Sequence, residues 1–303
     1  IQSRWQRVRA RAYRWGNILL LLAMFLGAAA LPTVAHQVAT SIVQGVSDAQ
    51  ALMQRGRSLY ETQRFSEAAV VLQQALAAFQ TAKNKLWQAA TLSNLSLVYQ
   101  QLGQWPQAED AIAQSLSLLE TKPLPTPAQE RTQILAQTLE VQGRLQLAQG
   151  GAQAAVDSWQ RAAGTYAQIN DTSGAIRSRI NQATALQALG LYRQAQKTLA
   201  EVNEILQKQP DSALKAAGLS NLGNILRITG DLNRAEAALQ QSLAVARTLQ
   251  LPESMSEALL GLGKTAQARG DSQSALNYYQ EAIATPPSPT LKIQIQLNQL
   301  SLL

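Results

Sequence analysis

The chain contains no cysteine and a single histidine, His36, in 303 residues. Without thiols there are no disulfides, no thiolate metal ligands and no cysteine nucleophile, and one imidazole cannot build a metal centre alone. No cofactor or metal is expected. Aromatic residues make up 5% and charged residues 15% of the chain, a low charge for a free-standing soluble domain. Acidic residues are missing entirely before Asp48, whereas Arg4, Arg7, Arg9, Arg11 and Arg14 crowd the first fifteen positions. Setting those five aside from the 26 basic residues leaves 21 against 19 acidic ones, so the formal charge of +7 belongs to a leader and not to a surface. A nucleic-acid partner needs cations clustered on one face and is not supported.

Residues 1–36 place five arginines before an uninterrupted apolar run, Ile18–Leu31, and end in small residues at Thr33 and Ala35. That order is a secretory signal, with Ala35 at the expected cleavage point. An uncleaved anchor is the rival, because residues 18–35 are just long enough to cross a bilayer, although Pro32 weakens it. Either way the arginines stay on the cytoplasmic side, so everything after residue 36 is expected outside the cytoplasm, periplasmic or extracellular, or held at the inner membrane through residues 18–35. Residues 37–48 are expected to be a linker. The chain opens on Ile1 and not on Met, and a natural start further upstream is expected.

The remainder is a repeat. A small residue heads each unit at Gly56, Ser96, Gly143, Ala183, Gly223 and Gly263, in steps of 40, 47, 40, 40 and 40. Seven residues on lie Gln63, Gly103, Gly150, Gly190, Gly230 and Gly270. Twelve on, an alanine recurs six times, at Ala68, Ala108, Ala155, Ala195, Ala235 and Ala275, and sixteen on comes a large apolar residue: Leu72, Ile112, Trp159, Leu199, Leu239 or Tyr279. Two antiparallel helices per unit account for these columns. Leu219, Leu222 and Leu226 around Gly223 have the spacing of a buried helical stripe, and a small residue at Gly223 lets the partner helix approach. Gly230 ends the first helix in the left-handed conformation, and Asp231 caps the second. Ala235 is expected where the backbones are nearest, and Leu239 one turn later in the wider gap. Such a hairpin cannot cover its own apolar faces, so six of them over residues 49–286 stack into a solenoid.

These residues resemble the tetratricopeptide (TPR) repeat, in its variant of about forty residues. The resemblance implies an all-α fold, a right-handed α-solenoid of stacked helix hairpins. Arg55, Gln142, Arg179 and Gln182 depart from it at columns where the family prefers apolar residues. Pro123, Pro125 and Pro127 lengthen one connection and predict a kink there. Residues 287–303 match the first helix of a further, truncated unit. Leu291, Ile293, Ile295, Leu297, Leu300, Leu302 and Leu303 are expected to lie uncovered there.

Apparent chemistry dissolves on inspection. The stretch GLGKT, Gly261 to Thr265, lacks the first glycine and the preceding strand of a phosphate loop, and Gly263 already heads a repeat. Glu109 and Asp110 are adjacent on a helix and point apart. Trp105, Trp159 and Tyr192 fall in registers expected to be core. An enzyme is not expected, and any catalytic domain would lie beyond Leu303. In the TPR family the first helices line a concave groove, and that resemblance implies peptide-groove roles for Arg57, Asn94, Arg144, Asn181, Asn221, Asn224, Arg227 and Lys264. Asparagines suit the backbone of an extended segment, and the cations favour an acidic protein or peptide. The Gln- and Leu-rich helices of Gln74 to Gly103 also resemble the amino-terminal half of cyanobacterial CHAT-domain proteins. In these a caspase-like peptidase domain follows the repeats, which implies a downstream domain of the same chain as a partner. The sequence thus reads as an exported, non-enzymatic protein-interaction scaffold. A membrane-anchored assembly factor and a structural spacer remain open as alternatives.

Overall fold

The computed structural model of the chain describes residues 30–120 and 128–302, with side chains from residue 46 onward. Within these residues the protein is all helix. Six antiparallel pairs follow one another: α1 (Ala30–Glu61) with α2 (Phe65–Thr81), α3 (Lys85–Gln101) with α4 (Trp105–Glu120), and α5 (Ala128–Ala148) with α6 (Ala152–Gln168). Then come α7 (Thr172–Ala188) with α8 (Tyr192–Leu206), α9 (Ala213–Ile228) with α10 (Leu232–Thr248), and α11 (Pro252–Ala268) with α12 (Ser272–Ala284). A final helix, α13 (Pro289–Leu300), packs on the sixth pair. Each helix packs on its neighbours in the chain, and successive first helices also meet, which makes the structure a solenoid of stacked hairpins.

The four repeat columns acquire their physical meaning here. All six alanines of the third column are fully buried, and the large residues of the fourth are exposed by 5% or less. Those large side chains do more than fill a wider gap: they sit directly on the head residues. A Cβ at Gly56 would lie 2.6 Å from Leu72, one at Gly143 would lie 2.7 Å from the Trp159 ring, and one at Gly223 would lie 2.5 Å from Cγ of Leu239. At Gly263 the same position is filled by the ring of Tyr279. Ser96, the one polar head residue, is satisfied by donating from Oγ to the Ala108 carbonyl at 2.9 Å.

The turn column is left-handed throughout, with φ between 69° and 87° at its five glycines and 60° at Gln63. The second turn of several repeats uses the same conformation without glycine, at Lys83, Asn170 and Gln250, which the sequence columns do not reveal. Asp231 accepts from the Arg234 amide at 3.3 Å, and Asp171, Asp271, Asn84 and Ser212 cap their helices likewise.

Several expectations need correction. The expected linker, residues 37–48, is helical and continuous with the first repeat helix. Trp105 and Tyr192 are not core: they open α4 and α8 and are 38% and 39% exposed, because a helix's first residue overhangs its partner. Leu291 and Ile295 are buried against the sixth hairpin, so only Ile293, Leu297 and Leu300, each about 60% exposed, form an open stripe. Of the departures, Arg55 is exposed, Gln142 accepts from Ser158, and Arg179 and Gln182 floor a cleft of about 770 Å³ between α6 and α8. Polar side chains are tolerated there because water reaches them. The leader's arginines and most of its apolar run lie outside the described residues, as do Pro123, Pro125, Pro127 and Leu303. Among the described residues no helix is long and apolar enough to cross a membrane.

Gly263→Ala should cost about 1–3 kcal/mol by overpacking, and trimming the ring with Tyr279→Leu should recover part of that loss. Gly230→Ala, whose new methyl meets open space, should lose about 1–2 kcal/mol through its backbone alone and be additive with Tyr279→Leu. Urea denaturation of the single and double variants measures both couplings; additivity in both pairs would show that Gly263 does not seat the ring.

Candidate functional site: a groove along the first helices

One face of the first helices stays open. Positions six and two before the head residue and one after it fall on a single stripe of a 3.6-residue helix, and these positions line two connected basins. The first, of about 310 Å³, is walled only by α1, α3, α5 and α7. The second, of about 740 Å³, runs over α7, the turn at residues 209–212, α9 and Glu257 of α11. Arg177 and Asn181 line both, so the two form one continuous trough.

Four of the eight residues expected in the groove meet in the first basin: Arg57, Asn94, Arg144 and Asn181. Asn181 and Asn221 share the second, but Asn221 donates to the carbonyl of Ala217 at 2.9 Å and is partly spent on its own helix. Asn224, Arg227 and Lys264 line neither basin and sit further along the same row of first helices. The sequence reading missed Gln137, Arg177 and Glu257, which occupy the column six before the head. That column was legible in principle, one helical turn before the asparagines, but the family resemblance drew attention to the other two.

Glu140 anchors the centre of the trough. It accepts from the Tyr166 hydroxyl at 2.8 Å, from Nε and Nη2 of Arg177 at 3.0 and 3.1 Å, and from Ser178 Oγ at 3.1 Å. The Arg177 guanidinium also lies 5.7 Å from the centre of the Tyr166 ring. Burial, then the charge and hydrogen bond of Glu140, raise the Tyr166 hydroxyl above its ordinary range, so it remains a neutral donor. Since this carboxylate is consumed by four donors, Arg57 and Arg144 have no acidic partner in the basin, and neither forms an ion pair among the described residues.

Three buried side-chain polar atoms in the described residues have no hydrogen-bond partner: Nδ2 of Asn94, Nε2 of Gln187 and Nε of Arg227. All three are donors and all three stand on first helices. Buried donors are normally satisfied, and leaving one unmade costs about 1–3 kcal/mol. The motifs set aside in the sequence behave as packing. Gly261 and Gly263 receive Leu239 and Tyr279 within α11, and Glu109 and Asp110 accept from Gln149 and Gln114 in different directions. Among the described residues no cluster of histidine, aspartate and glutamate could hold a metal ion.

Stacked helical hairpins with a polar trough along their first helices define the described residues as an α-helical repeat solenoid. The chain belongs to the tetratricopeptide repeat family, whose family model matches residues 47–121, 172–248 and 214–287. Solved structures share the fold. BtubC from P. vanneervenii is 19% identical with a TM-score of 0.58, covering 80% of this chain and 90% of that one. PilW, described as a widely conserved type IV pilus biogenesis factor, is 20% identical with a TM-score of 0.56, covering 82% and 98%. A Rap protein complexed with competence and sporulation factor is 14% identical with a TM-score of 0.54, covering 79% of this chain and 66% of that one. No curated protein sequence matches the chain.

Glu140→Ala should lower stability by about 2 kcal/mol, because it strands Tyr166 and Arg177, and Tyr166→Phe should cost about 1 kcal/mol. The double variant should lose less than the sum, since both remove one shared bond. Chemical denaturation of the three proteins measures the coupling, and strict additivity would mean that the network does not act as a unit.

Proposed function

We propose that this chain is an exported, non-enzymatic scaffold that holds an extended, acidic protein segment along its groove. The observation that carries the reading is the first basin, where the buried Nδ2 of Asn94 has no acceptor and Arg57 and Arg144 have no carboxylate partner. A solenoid used only as a spacer gains nothing from leaving donors unsatisfied, whereas the carbonyls and carboxylates of an extended segment supply the missing acceptors. Charge supports the acidic choice. Arg57 and Arg144 face the first basin without carboxylates of their own, and Arg227 and Lys264 continue the positive row. The solved relative that holds a competence and sporulation factor shares this fold, which supports a binding role for the trough.

The leader supports export, and the forty-residue register and Gln-rich helices support a regulatory role of the kind that repeats play beside CHAT-type peptidase domains. Of the alternatives, a membrane-anchored assembly factor keeps its leader and a spacer binds nothing.

Selection of random dodecapeptides on the purified protein should yield sequences rich in Asp and Glu. Arg57→Ala with Arg144→Ala, folded by circular dichroism, should weaken a selected peptide at least tenfold and flatten its salt dependence. Failure to select any peptide, or unchanged affinity in the double variant, would favour the spacer. For export, sequencing the amino terminus of the fractionated protein should find a new end after Ala35. A wholly cytoplasmic protein that retains Arg4 would overturn that part of the reading.

A further inference from the structure

Arg227 on α9 and Lys264 on α11 form a second feature, beyond both basins. The first helices α9 and α11 lie side by side: Asn224 Oδ1 is 3.4 Å from where a Cβ of Gly261 would stand. Arg227 and Lys264 each follow that contact by three residues, one turn along parallel helices. Both side chains are half-buried, and each helix brings a cation with no counter-charge. Neither residue forms an ion pair among the described residues, and Nε of Arg227 is buried without an acceptor.

Among the described residues the titratable neighbour acting on Arg227 is Tyr279 of α12, a neutral phenol; burial pushes its hydroxyl up to about 12, and it donates to Gln267 Oε1 at 3.0 Å. Glu236 of α10 pairs with Arg269, and the carboxyl of Glu257, two turns earlier on α11, is pushed up by its own burial and then by Glu253. Burial lowers the affinity of both cations for their protons, and Lys264 is lowered further by the charge of Arg227. Depressed bases of this kind are a standing cost at neutral pH, relieved as pH rises through their lowered values toward the ordinary ones. The fold therefore holds two like charges together, partly out of water, and no carboxylate among the described residues pairs with either.

We infer that Arg227 and Lys264 form a binding site for a dianionic phosphate group. A guanidinium offers a planar fork of donors and an ammonium a compact point charge, and both suit phosphate oxygens. Charge selects the ligand: two uncompensated cations are neutralised by one phosphate monoester, close to −2 at neutral pH, whereas a single carboxylate leaves one cation exposed. Inorganic phosphate and a phosphorylated side chain on a docked segment share this chemistry. The site is separate from the Arg57 basin and stands whether or not that basin binds peptides.

Thermal melts of the whole protein at fixed ionic strength test it with sodium phosphate, sodium acetate and sodium chloride as probes. Phosphate should raise the melting temperature by several degrees above chloride, and acetate should not. Lys264→Met should melt higher than the native protein in chloride, since an uncompensated charge is gone, and should lose most of the phosphate effect. Arg227→Met with Lys264→Met should abolish that effect, and Lys264→Gln serves as a second variant should the double one fold poorly. A tetraglycine peptide carrying a central phosphoserine, compared with its unphosphorylated twin, separates the sources. Binding tighter than phosphate by tenfold or more assigns the site to phosphorylated segments, and equal binding assigns it to free phosphate. Equal stabilisation by phosphate and acetate, or a phosphate response unchanged in Lys264→Met and Lys264→Gln, would overturn the site.

Discussion

A large side chain seated on an absent one is the contact on which the rest of this molecule depends. In four of the six hairpins the second helix sends Leu72, Trp159, Leu239 or Tyr279 onto a glycine of its partner, where even a methyl group would collide. Twelve residues after the head, a fully buried alanine keeps the backbones close enough for that seating to work. Burying one such leucine contributes about 1.5–3 kcal/mol, and close packing makes the site intolerant of extra volume. Because the hairpin is fixed at that point, its outer faces emerge at defined angles and can stack. The trough is the space left between first helices when they do.

The seating also explains how much of the fold could be read from the letters alone. Head glycine, turn glycine, alanine and large residue each answer to a local constraint, and local constraints leave a periodic trace. Gly230, Ala235 and Leu239 could be assigned to a turn, a close approach and a core without coordinates. What escaped were features set between repeats. The left-handed Lys83, Asn170 and Gln250 are invisible because ordinary residues occupy a strained conformation that tertiary packing enforces. Trp105 and Tyr192 looked apolar enough for the core, yet an overhanging helix start leaves them wet.

The site was legible to a different degree. Arg57, Asn94, Arg144 and Asn181 were placed on one face by register and do share one basin. Arg177 and Glu140 were not foreseen, since their meaning lies in a network joining α5, α6 and α7, and no spacing within one repeat encodes a contact across two. Gln187, outside both basins, was not foreseen either: its unpartnered amide is recognisable only once its surroundings are known to be dry. Polar side chains in this trough thus fall into two kinds. Some, such as Glu140 and Asn221, are consumed by the protein, and Asn94 holds a buried Nδ2 without a partner.

Between hairpins the same seating recurs at shifting heights. Tyr166 rests on Gly174, Leu206 on Gly218, and Leu239, already on its own Gly223, also on Gly261. Those receiving glycines stand nine, five and two residues before the head of their repeats, so successive joints are hinged at different levels along the helices. The joints between layers are therefore not equivalent: each locks its two hairpins at a different height along the first helices. Leu239, clasped by two hairpins at once, ties the fifth layer directly to the sixth, and these are the layers that carry Arg227 and Lys264.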